Sequence, residues 1–433
     1  MKKVHITTLG CSKNLVDSEV LQGQLEAHEF QVIDSPEASD LLIVNTCGFI
    51  EKAKEESIQA IFEALELKKQ DPAKKVFVTG CLSERYRDDI VREIPEVDAI
   101  FGTEEYRAIL NALGKKHMAE DNLSRLRRVT TPRHYAYMKI SEGCNHTCAF
   151  CAIPGIRGKH RSRPMEELLA EAQRLADGGA RELILISQDT SYYGKDLYGK
   201  QRIAELLRGL EKIDGLRWIR VLYWYPTNFP LEALEVMRES DKVLAYLDMP
   251  IQHVSDRMLR RMRRGDTLQS LERLYDKIRH TVPEITLRTT LIVGHPGETN
   301  ADFRAMCDFV RRFEFDRLGT FTYSDEEGTP AFSQDEKIDP ALAEERQAEI
   351  MEIQKEISLR KNQNLINSEQ IVLLDEYDIN TGYYSGRTYR DAPEIDNEVL
   401  IPQNSATARP GDFVRVTVED AAEYELFGVI KNR

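Results

Sequence analysis

The amino-acid sequence predicts an α/β protein in three successive parts: an N-terminal parallel α/β domain, a partial (β/α)6 barrel and a small antiparallel β barrel at the C terminus. Three observations support this prediction. The first hundred residues contain three β-rich apolar runs, each followed by a helix-like stretch. Six further strand-like runs alternate with helix patterns from about Tyr135 onward. Beyond about Ile366 the pattern changes to short alternating strands separated by turns.

Each of the three N-terminal runs ends near a cysteine. The runs are VHITTLGC, DLLIVNTCGF and KKVFVTGC, with Cys11, Cys47 and Cys81 at their ends. Continuous apolar runs of this kind are typical of buried parallel strands. The carboxyl ends of parallel strands gather at one edge of a sheet, where functional groups collect. We therefore expect the three cysteines, called here the strand-end triplet, to converge in space.

The central part has the pattern of a βα barrel. Its strand candidates are Tyr135–Ser141, Leu183–Ser187, Trp218–Tyr223, Val243–Met249, Thr286–Val293 and Asp316–Tyr323. A helix is predicted from Pro164, with an apolar stripe and two glycines at its end. Polar segments follow every strand, and in such barrels these loops build the active site. The expected domain boundaries are 1–117 for the N-terminal domain, 118–132 for a linker, 133–365 for the barrel and 366–433 for the C-terminal domain.

Composition and charge restrict the class of protein. The chain has 433 residues, a formal net charge of −14 and 41% hydrophobic residues, as expected for a folded globular protein. No apolar run approaches the roughly 18 residues of a spanning helix. Val4–Leu9 is too short and too polar for a secretory signal. We therefore expect a cytoplasmic protein without a membrane segment, whose cysteines stay reduced and serve as core residues, catalytic groups or metal ligands.

The strongest chemical signal is the stretch GCNHTCAFC. It places Cys144, Cys148 and Cys151, called here the loop triplet, at C-x3-C-x2-C spacing after the first barrel strand. Iron–sulfur clusters are commonly held by four cysteines, so three leave one iron open to a small molecule. The alternative is a zinc site completed by His146 or by a distant residue.

The strand-end triplet allows two interpretations. Free cysteine is often buried as a small core residue, and each of the three could be explained in that way. Matched positions in three successive strand–helix units favour a second three-thiolate cluster instead. Cys307 lies in an amphipathic helix pattern and is expected to pack in the core.

The loop triplet, with Phe150 before its last cysteine and a βα barrel around it, resembles the radical S-adenosylmethionine superfamily. With its N-terminal cysteines and its C-terminal β barrel, the whole chain resembles the methylthiotransferases. In the methylthiotransferases the C-terminal barrel is called the TRAM domain. The resemblance implies two 4Fe–4S clusters, held by the loop triplet and by the strand-end triplet. It also implies S-adenosyl-L-methionine as methyl donor and radical source, and an auxiliary cluster that carries sulfur.

Two branches of that family compete. TLGCSKNLVDSE, CLSERYRDDIVREIPEVDAIFGT, SEGCNHTCAFCAIPGIRGKHRSRP and SQDTSYYG resemble the branch that modifies the β-carbon of an aspartate in small-subunit ribosomal protein number twelve. Ser12 departs from the proline that is commonest there. The other branch modifies a tRNA adenosine. A non-catalytic, zinc-stabilised protein that binds RNA or the ribosome is the alternative from another class.

Charge supports the protein branch. The segment from Ile366 to Arg433 has 13 acidic and 6 basic side chains, which suits a basic protein better than RNA. The opposing signal is RMLRRMRRG, whose arginines could touch phosphate or could instead form a helix face that pairs with acids: Arg257, Arg260, Arg261, Arg263 and Arg264. The same two interpretations apply to the linker arginines Arg125, Arg127 and Arg128.

Several further residues are expected near cofactor or substrate: Asn14, Phe150, Gln188, Asp189, Gln252, His253 and His295. No protein acid or base is assigned, because a β-carbon beside a carboxylate is hard to deprotonate at neutral pH. The expected partners are a basic ribosomal protein, free or in the subunit, and an electron donor such as flavodoxin or ferredoxin. We expect a monomer.

Overall fold

The computed structural model describes residues 1–115, 126–403 and 408–431. The chain forms two compact units. The first consists of Met1–Thr130, Ser141–Arg161 and Ser324–Phe332, and the second of Thr131–Ile140, Ser162–Tyr323 and Ser333–Arg433. Both cysteine triplets therefore belong to the first unit. Within the described ranges, no helix combines the length and the apolar character needed to cross a membrane.

The N-terminal sheet is parallel and has the strand order β2-β1-β3-β4-β5. Its strands are β1 (Lys3–Thr8), β2 (Gln31–Val32), β3 (Leu41–Thr46), β4 (Lys75–Gly80) and β5 (Ala99–Ile100). Its helices are α1 (Ser12–Ala27), α2 (Glu51–Gln70), α3 (Cys81–Arg85), α4 (Arg87–Glu93) and α5 (Tyr106–Ala112). Side chains of β3 alternate between the two faces, so that Ile43 packs in one apolar cluster and Leu42 and Val44 in the other. The three predicted strands are confirmed.

The central part contains the six predicted parallel strands. With two short strands beside them they are β6 (Tyr135–Lys139), β7 (Ser141–Glu142), β8 (Arg161–Ser162), β9 (Glu182–Ile186), β10 (Trp218–Val221), β11 (Tyr246–Asp248), β12 (Thr286–Val293) and β13 (Arg317–Thr322). Two parallel three-stranded sheets, β6-β9-β10 and β11-β12-β13, are connected by a parallel bridge between Ile219 and Val243. This arrangement agrees with a partial (β/α)6 barrel. The fourth strand is shorter than predicted because Val243 contributes only that bridge.

Helices cover the strands of the central part. They are α6 (Ile153–Arg157), α7 (Met165–Asp177), α8 (Lys195–Tyr198), α9 (Ile203–Leu210), α10 (Glu232–Glu239), α11 (Asp256–Arg261), α12 (Leu268–Thr281), α13 (Asn300–Phe313) and α14 (Pro340–Gln363). A 3-10 turn spans Thr190–Tyr192. The predicted helix after Pro164 is α7, which buries Leu168, Ala172 and Leu175 and ends at Gly178. Cys307 is 2% exposed within the core, so its predicted packing role is confirmed.

The C-terminal domain is a closed five-stranded barrel with the order β14-β15-β16-β18-β17. Its strands are β14 (Glu369–Asp378), β15 (Tyr383–Arg387), β16 (Glu398–Pro402), β17 (Phe413–Ala421) and β18 (Glu425–Ile430). Four of its pairings are antiparallel as predicted, but β16 and β18 pair in parallel. Because a whole strand separates β16 from β18, no hairpin dictates their relative direction.

Buried ion pairs join this barrel to the six-stranded part, within the second unit. Glu182 at the start of β9 binds Arg220 and Arg387, at 2.7 Å each. Arg387 also binds Asp375 at 2.7 Å, and Arg317 pairs with Asp391. All five side chains named with Glu182 come from strands or from the loop after β15. The ion pairs therefore fix the C-terminal barrel to the amino-terminal ends of strands in the six-stranded part.

Candidate functional site

The strand-end triplet occupies the carboxyl ends of three adjacent strands. In the parallel register Thr8 lies opposite Asn45, and Thr46 lies opposite Gly80. The cysteines that follow these strands therefore meet at one edge of the sheet. Cys11 is exposed, whereas Cys47 and Cys81 are buried. The sulfur atoms thus form a site with one accessible side.

Two glycines allow the strand ends to approach so closely. A Cβ on Gly10 would lie 2.7 Å from the Cβ and 2.8 Å from the Sγ of Cys47. A Cβ on Gly80 would lie 2.4 Å from the carbonyl oxygen of Thr46. Both glycines also have positive φ, +88° and +103°, which side-chain-bearing residues rarely adopt. The Gly-Cys pairs are therefore a steric requirement of the triplet.

Asn14 is completely buried beside Cys81. Its amide nitrogen donates to the carbonyl oxygens of Leu9 and Thr46, at 2.9 Å each. Its Oδ1 accepts from the Cys81 thiol at 3.6 Å. One side chain thus connects the ends of β1 and β3 with the third cysteine. Asn14 had been expected near a cofactor, and this position makes it a support of the triplet.

Burial keeps the two inner thiols neutral in the absence of an electropositive ligand. It raises the pKa of Cys47, against a hydrogen bond from the Phe49 backbone. It raises the pKa of Cys81 to about 12, against the charge and a hydrogen bond of Arg157. Metal binding displaces such protons, because the thiolate is the ligand.

The loop triplet follows β7 and is held by backbone hydrogen bonds. The N–H of Cys144 donates to the carbonyl of Gly158 at 3.1 Å, and that of Cys151 to the carbonyl of Cys148 at 3.1 Å. Cys148 is buried, whereas Cys144 and Cys151 are half-buried. His146 donates its backbone N–H to Cys144 Sγ at 3.4 Å. Among the described residues, no three His, Cys, Asp or Glu side chains are grouped so as to hold a single metal ion.

The segment Ser324–Phe332 supports both triplets from the same unit. The N–H of Ala331 donates to the carbonyl of Ala149 at 2.7 Å, between two cysteines of the loop triplet. The buried carboxylate of Glu326 binds Arg85 at 2.6 Å, and Arg85 also donates to the carbonyl of Gly48 at 3.1 Å. The sequence pattern predicts this segment only as one of the polar segments that follow the barrel strands.

Arg157 is the charged residue that the sequence analysis missed. Its Nη1 lies 2.9 Å from Asp17 and 3.1 Å from Glu142, and its Nη2 lies 2.5 Å from Asn14 Oδ1 and 3.5 Å from Cys81 Sγ. The two carboxylates hold its pKa well above the ordinary range even though burial opposes this. A lone arginine in IPGIRG carries no sequence signal for such a position, because its partners come from distant segments.

In the second unit, three of the polar residues predicted at the barrel strand ends are buried, namely Asp189, His253 and His295, and the two glutamines are half-buried. Gln188 and Asp189 follow β9, Gln252 and His253 follow β11, and His295 follows β12. The structure places the last three on adjacent strands, since Gln252 bridges to Leu291. Phe150 is half-buried in the loop of the first unit.

The orientation of the two histidines can be read from their hydrogen bonds. His253 Nδ1 accepts from the N–H groups of Val254 and Ser255, at 2.8 and 3.0 Å. Its proton therefore lies on Nε2, which is 3.6 Å from a carboxylate oxygen of Glu298. His295 Nδ1 contacts the carbonyl of Pro296 at 3.2 Å. Burial lowers the pKa of His295 to about 4, so its ring is neutral at pH 7.

Three buried polar atoms at these strand ends have no hydrogen-bond partner in the described part of the chain: Gln252 Oε1, His253 Nε2 and His295 Nε2. Gln252 also has a left-handed backbone, with φ of 71°, as does Tyr223 after β10, with φ of 63°. Unpaired buried polar atoms and strained backbone are costly, and they concentrate at binding sites. A polar ligand at this end of the barrel would supply the missing partners.

The basic run is largely occupied within the protein. Arg257 pairs with Asp302, Arg261 with Glu336 at 3.1 Å, and the Arg264 guanidinium stacks over Tyr225. Arg260 and Arg263 are exposed. In the linker, Arg127 binds Glu19 and Arg128 binds Glu26, while Arg125 and the rest of 116–125 lie outside the described residues.

The fold and the two thiol triplets define a class of protein, namely radical S-adenosylmethionine proteins with an additional N-terminal cysteine domain. Residues 138–310 match the Radical SAM superfamily, residues 3–102 the family described as Uncharacterized protein family UPF0004, and residues 367–430 the TRAM domain.

Curated relatives narrow this class to one family. The chain is 48% identical to a ribosomal protein uS12 methylthiotransferase RimO of Christiangramia forsetii, with 98% of this chain and 94% of the relative covered. It is 47% identical to that of Aquifex aeolicus, with 98% and 96% covered. The chain therefore belongs to the family of ribosomal protein uS12 methylthiotransferases.

Solved structures resemble the chain in fold. One is TsrM of Kitasatospora setae, a radical S-adenosylmethionine methyltransferase with bound cobalamin and [4Fe-4S] cluster. It has a TM-score of 0.53 and 16% identity, with 76% of this chain and 77% of that chain covered. The cobalamin-dependent enzyme OxsB has a TM-score of 0.52 and 13% identity, with 82% and 56% covered.

Proposed function

We propose that the chain is a radical S-adenosylmethionine methylthiotransferase that adds a methylthio group to the β-carbon of an aspartate in ribosomal protein uS12. The proposal rests on one observation. The chain, which is 48% identical to a curated member of the family, has two separate three-thiol sites within a single compact unit. Two such sites match a reaction that requires both a radical source and a sulfur source.

Cys144, Cys148 and Cys151 would hold the first 4Fe–4S cluster. Thiolates are the usual ligands of such clusters, and the half-buried thiols leave one side of the loop open. When bound, this cluster supplies the electron for reductive cleavage of S-adenosyl-L-methionine. The loop's own backbone hydrogen bonds keep the three thiols in place for it.

Cys11, Cys47 and Cys81 would hold the second cluster, which supplies sulfur when bound. The donor set fits because the inner thiols of Cys47 and Cys81 are buried, the Arg157 guanidinium lies beside Cys81, and the outer thiol of Cys11 is exposed. Asn14 fixes the strand ends, Gly10 leaves room for the Cys47 sulfur, and Gly80 lets its strand end approach the backbone of Thr46. Anaerobic analysis should find about eight iron and eight sulfide per chain. A colourless protein that contains only zinc would favour the non-catalytic alternative.

The chain's own polar groups at the barrel strand ends would bind and orient the cofactor or the substrate, and they would not transfer protons. Gln252, His253 and His295 offer two acceptors and one donor that lack partners within the described residues. His295 is neutral at pH 7 because of its low pKa, so its Nε2 is an acceptor. Gln188 and Asp189 would contribute from the neighbouring sheet of the second unit. Phe150 would line the cluster site on the loop of the first unit.

The C-terminal barrel supports a basic protein substrate rather than tRNA. A groove of about 470 Å³ on its surface is lined by Glu376 and Asp378 together with Tyr383, Leu400 and Phe427. Backbone and side-chain hydrogen bonds lower the pKa of Asp378, so it stays charged. A groove with acidic and apolar walls repels phosphate and complements a basic segment with apolar side chains. Three of the five arginines in the basic run have partners within the protein, which weakens the argument for RNA.

The remaining assignments belong to the same proposal. The domain boundaries are 1–117, 118–132, 133–365 and 366–433, with a flavodoxin or ferredoxin as electron donor. The enzyme acts in the cytoplasm as a monomer on a basic ribosomal protein.

Mass spectrometry of both candidate substrates tests the proposal. A strain without its own enzyme of this family should recover methylthiolated uS12 when it expresses this chain, with its tRNA pattern unchanged. Cys47→Ala should abolish the modification because it removes one ligand of the second cluster. Cys307→Ala is the matched control, a buried cysteine outside both triplets, and should preserve it. A methylthio mark on tRNA without one on uS12 would overturn the proposal.

A further inference from the structure

We propose that Arg157 is a positioning residue for the auxiliary cluster, and that its guanidinium donates a hydrogen bond to the Cys81 sulfur and thereby raises the cluster's reduction potential. This inference rests on the proposed function, because it requires a cluster on the strand-end triplet. It gives one arginine contacts with both the strand-end triplet and the segment that carries the loop triplet.

The contact geometry identifies the hydrogen bond. Arg157 Nη2 lies 3.5 Å from Cys81 Sγ and 2.5 Å from Asn14 Oδ1. The side chain is 1% exposed, so water does not compete for its donors. Asn14 itself fixes the ends of β1 and β3 through two further hydrogen bonds. The guanidinium is thus directed at the sulfur by a rigid neighbour.

The second nitrogen of the guanidinium connects the two triplets. Nη1 binds Asp17, on the helix that begins after Cys11, and Glu142, two residues before Cys144. Asp17 is held in turn by the Tyr106 hydroxyl at 3.0 Å. Arg157 itself ends α6, six residues after Cys151. One side chain therefore links the loop that carries one set of thiols to a sulfur of the other set.

Arginine is the residue that this geometry requires. Its planar fork can serve two carboxylates with one nitrogen and a sulfur and an amide with the other, and it stays charged when buried. Net charge and hydrogen bonds to the ligating sulfurs tune iron–sulfur potentials. A cation that donates to a thiolate stabilises the reduced, more negative cluster. Removal of this cation should therefore make the cluster harder to reduce.

A measurement without substitution of Arg157 tests the hydrogen bond directly. The full chain with Cys144, Cys148 and Cys151 replaced by Ala retains only the strand-end triplet. After anaerobic reconstitution with iron and sulfide, and labelling of arginine side chains with ¹⁵N, pulsed EPR of the reduced cluster should detect a weak ¹⁵N coupling. The coupling should disappear in Arg157→Lys. A reduced cluster without ¹⁵N coupling would overturn the inference.

Redox titration in the same background tests the effect on potential. At a fixed potential, Arg157→Met should lower the ratio of reduced to oxidised cluster at least tenfold, which corresponds to about 59 mV for a one-electron couple. Arg157→Lys should give an intermediate value because it keeps the charge but not the fork. The matched control is Arg161→Met, whose guanidinium pairs with Glu104 at the surface, and its ratio should equal that of the unsubstituted chain.

The outcomes separate this inference from the proposed function. A cluster with the same potential in Arg157→Met and Arg161→Met would overturn the role of Arg157 and leave the cluster assignment standing. A chain that binds no cluster on the strand-end triplet would overturn both. If Arg157→Met alone lost its cluster, the ¹⁵N measurement on the chain that keeps Arg157 would decide. A coupling would support the inference, and its absence would overturn it.

Discussion

His295 shows how a single buried group connects the barrel site with pH. It is completely buried after β12, and burial lowers its pKa to about 4, with His253, Arg261 and Lys337 acting in the same direction. Its ring edge also packs against Tyr323. The folded protein thus keeps a neutral imidazole where the unfolded chain has one with a pKa near 6.5.

The sign of the pH effect follows from this depression. Because the folded pKa is the lower one, the unfolded chain takes up the proton first, and stability is lost as the pH falls from about 6.5 towards 4. Between pH 7 and pH 5, His295 alone should cost about 2 kcal/mol of unfolding free energy. Urea unfolding followed by tryptophan fluorescence measures this, since Trp218 and Trp224 both lie in the second unit.

Two variants isolate the contribution of His295. Asn in place of His295 cannot titrate, so the difference in unfolding free energy between pH 7 and pH 5 should shrink by about 2 kcal/mol. His280→Asn replaces an exposed histidine of α12 and should leave the difference unchanged. An identical pH dependence in both variants would contradict a buried neutral His295.

At the scale of elements, the C-terminal barrel depends on a buried arginine. Arg387, at the end of β15, binds Glu182 of β9 and Asp375 of β14. Burial acts to raise the pKa of Asp375, but hydrogen bonds from His134 and Arg387 lower it. Removal of the cation would leave buried carboxylates with fewer partners, which is far more costly than the loss of a surface pair.

Arg387→Met should therefore destabilise the second unit by about 3–5 kcal/mol. Trp218 is a suitable probe because its ring lies 4.8 Å from that of Phe413 in β17, so its fluorescence reports on the docked barrel during urea unfolding. Arg415→Met is the control: its pair with Glu369 spans 3.8 Å at the surface and should contribute at most about 1 kcal/mol. Equal losses in the two variants would show that the buried network does not stabilise the junction.

The elements themselves were largely predictable because their cores produce simple patterns. β1, β3 and β4 are buried parallel strands, so each appears as a continuous apolar run, and all six barrel strands were located. The edge strands β2 and β5 have two residues each and leave no such run. The parallel pairing of β16 with β18 was missed because it depends on a connection across the barrel, which local alternation does not encode.

At the scale of the whole molecule, the site was only partly predictable. The sequence predicts the strand-end triplet from cysteines at matched strand ends and the loop triplet from its C-x3-C-x2-C spacing. Arg157, Asp17 and Glu142 could not be found in the same way, since a buried charge is explained only by partners that the fold brings together. The compact unit that contains both triplets is likewise discontinuous in sequence, with 141–161 and 324–332 added to the N-terminal residues.

The acidic groove yields the last prediction, which concerns how the whole enzyme recognises its substrate. Glu376 is exposed at the groove beside Asp378, Tyr383 and Phe427. Glu376→Lys places a cation where a basic segment of uS12 would bind. We expect the KM for uS12 to rise about fivefold, equivalent to about 1 kcal/mol, with kcat nearly unchanged because no residue that lines the groove belongs to a thiol triplet.

Salt dependence and a second charge-reversal variant distinguish recognition in the groove from a general effect of charge. The difference between Glu376→Lys and the unsubstituted enzyme should shrink as salt increases, because screening weakens exposed charges over about 10 Å at 0.1 M. Glu419→Lys makes the same change on β17, at a residue that does not line the groove, and should leave KM close to its original value. Equal increases in KM for both variants would show that overall acidity, rather than this groove, attracts the basic substrate. A larger increase for Glu376→Lys would place a basic segment of uS12 in the groove.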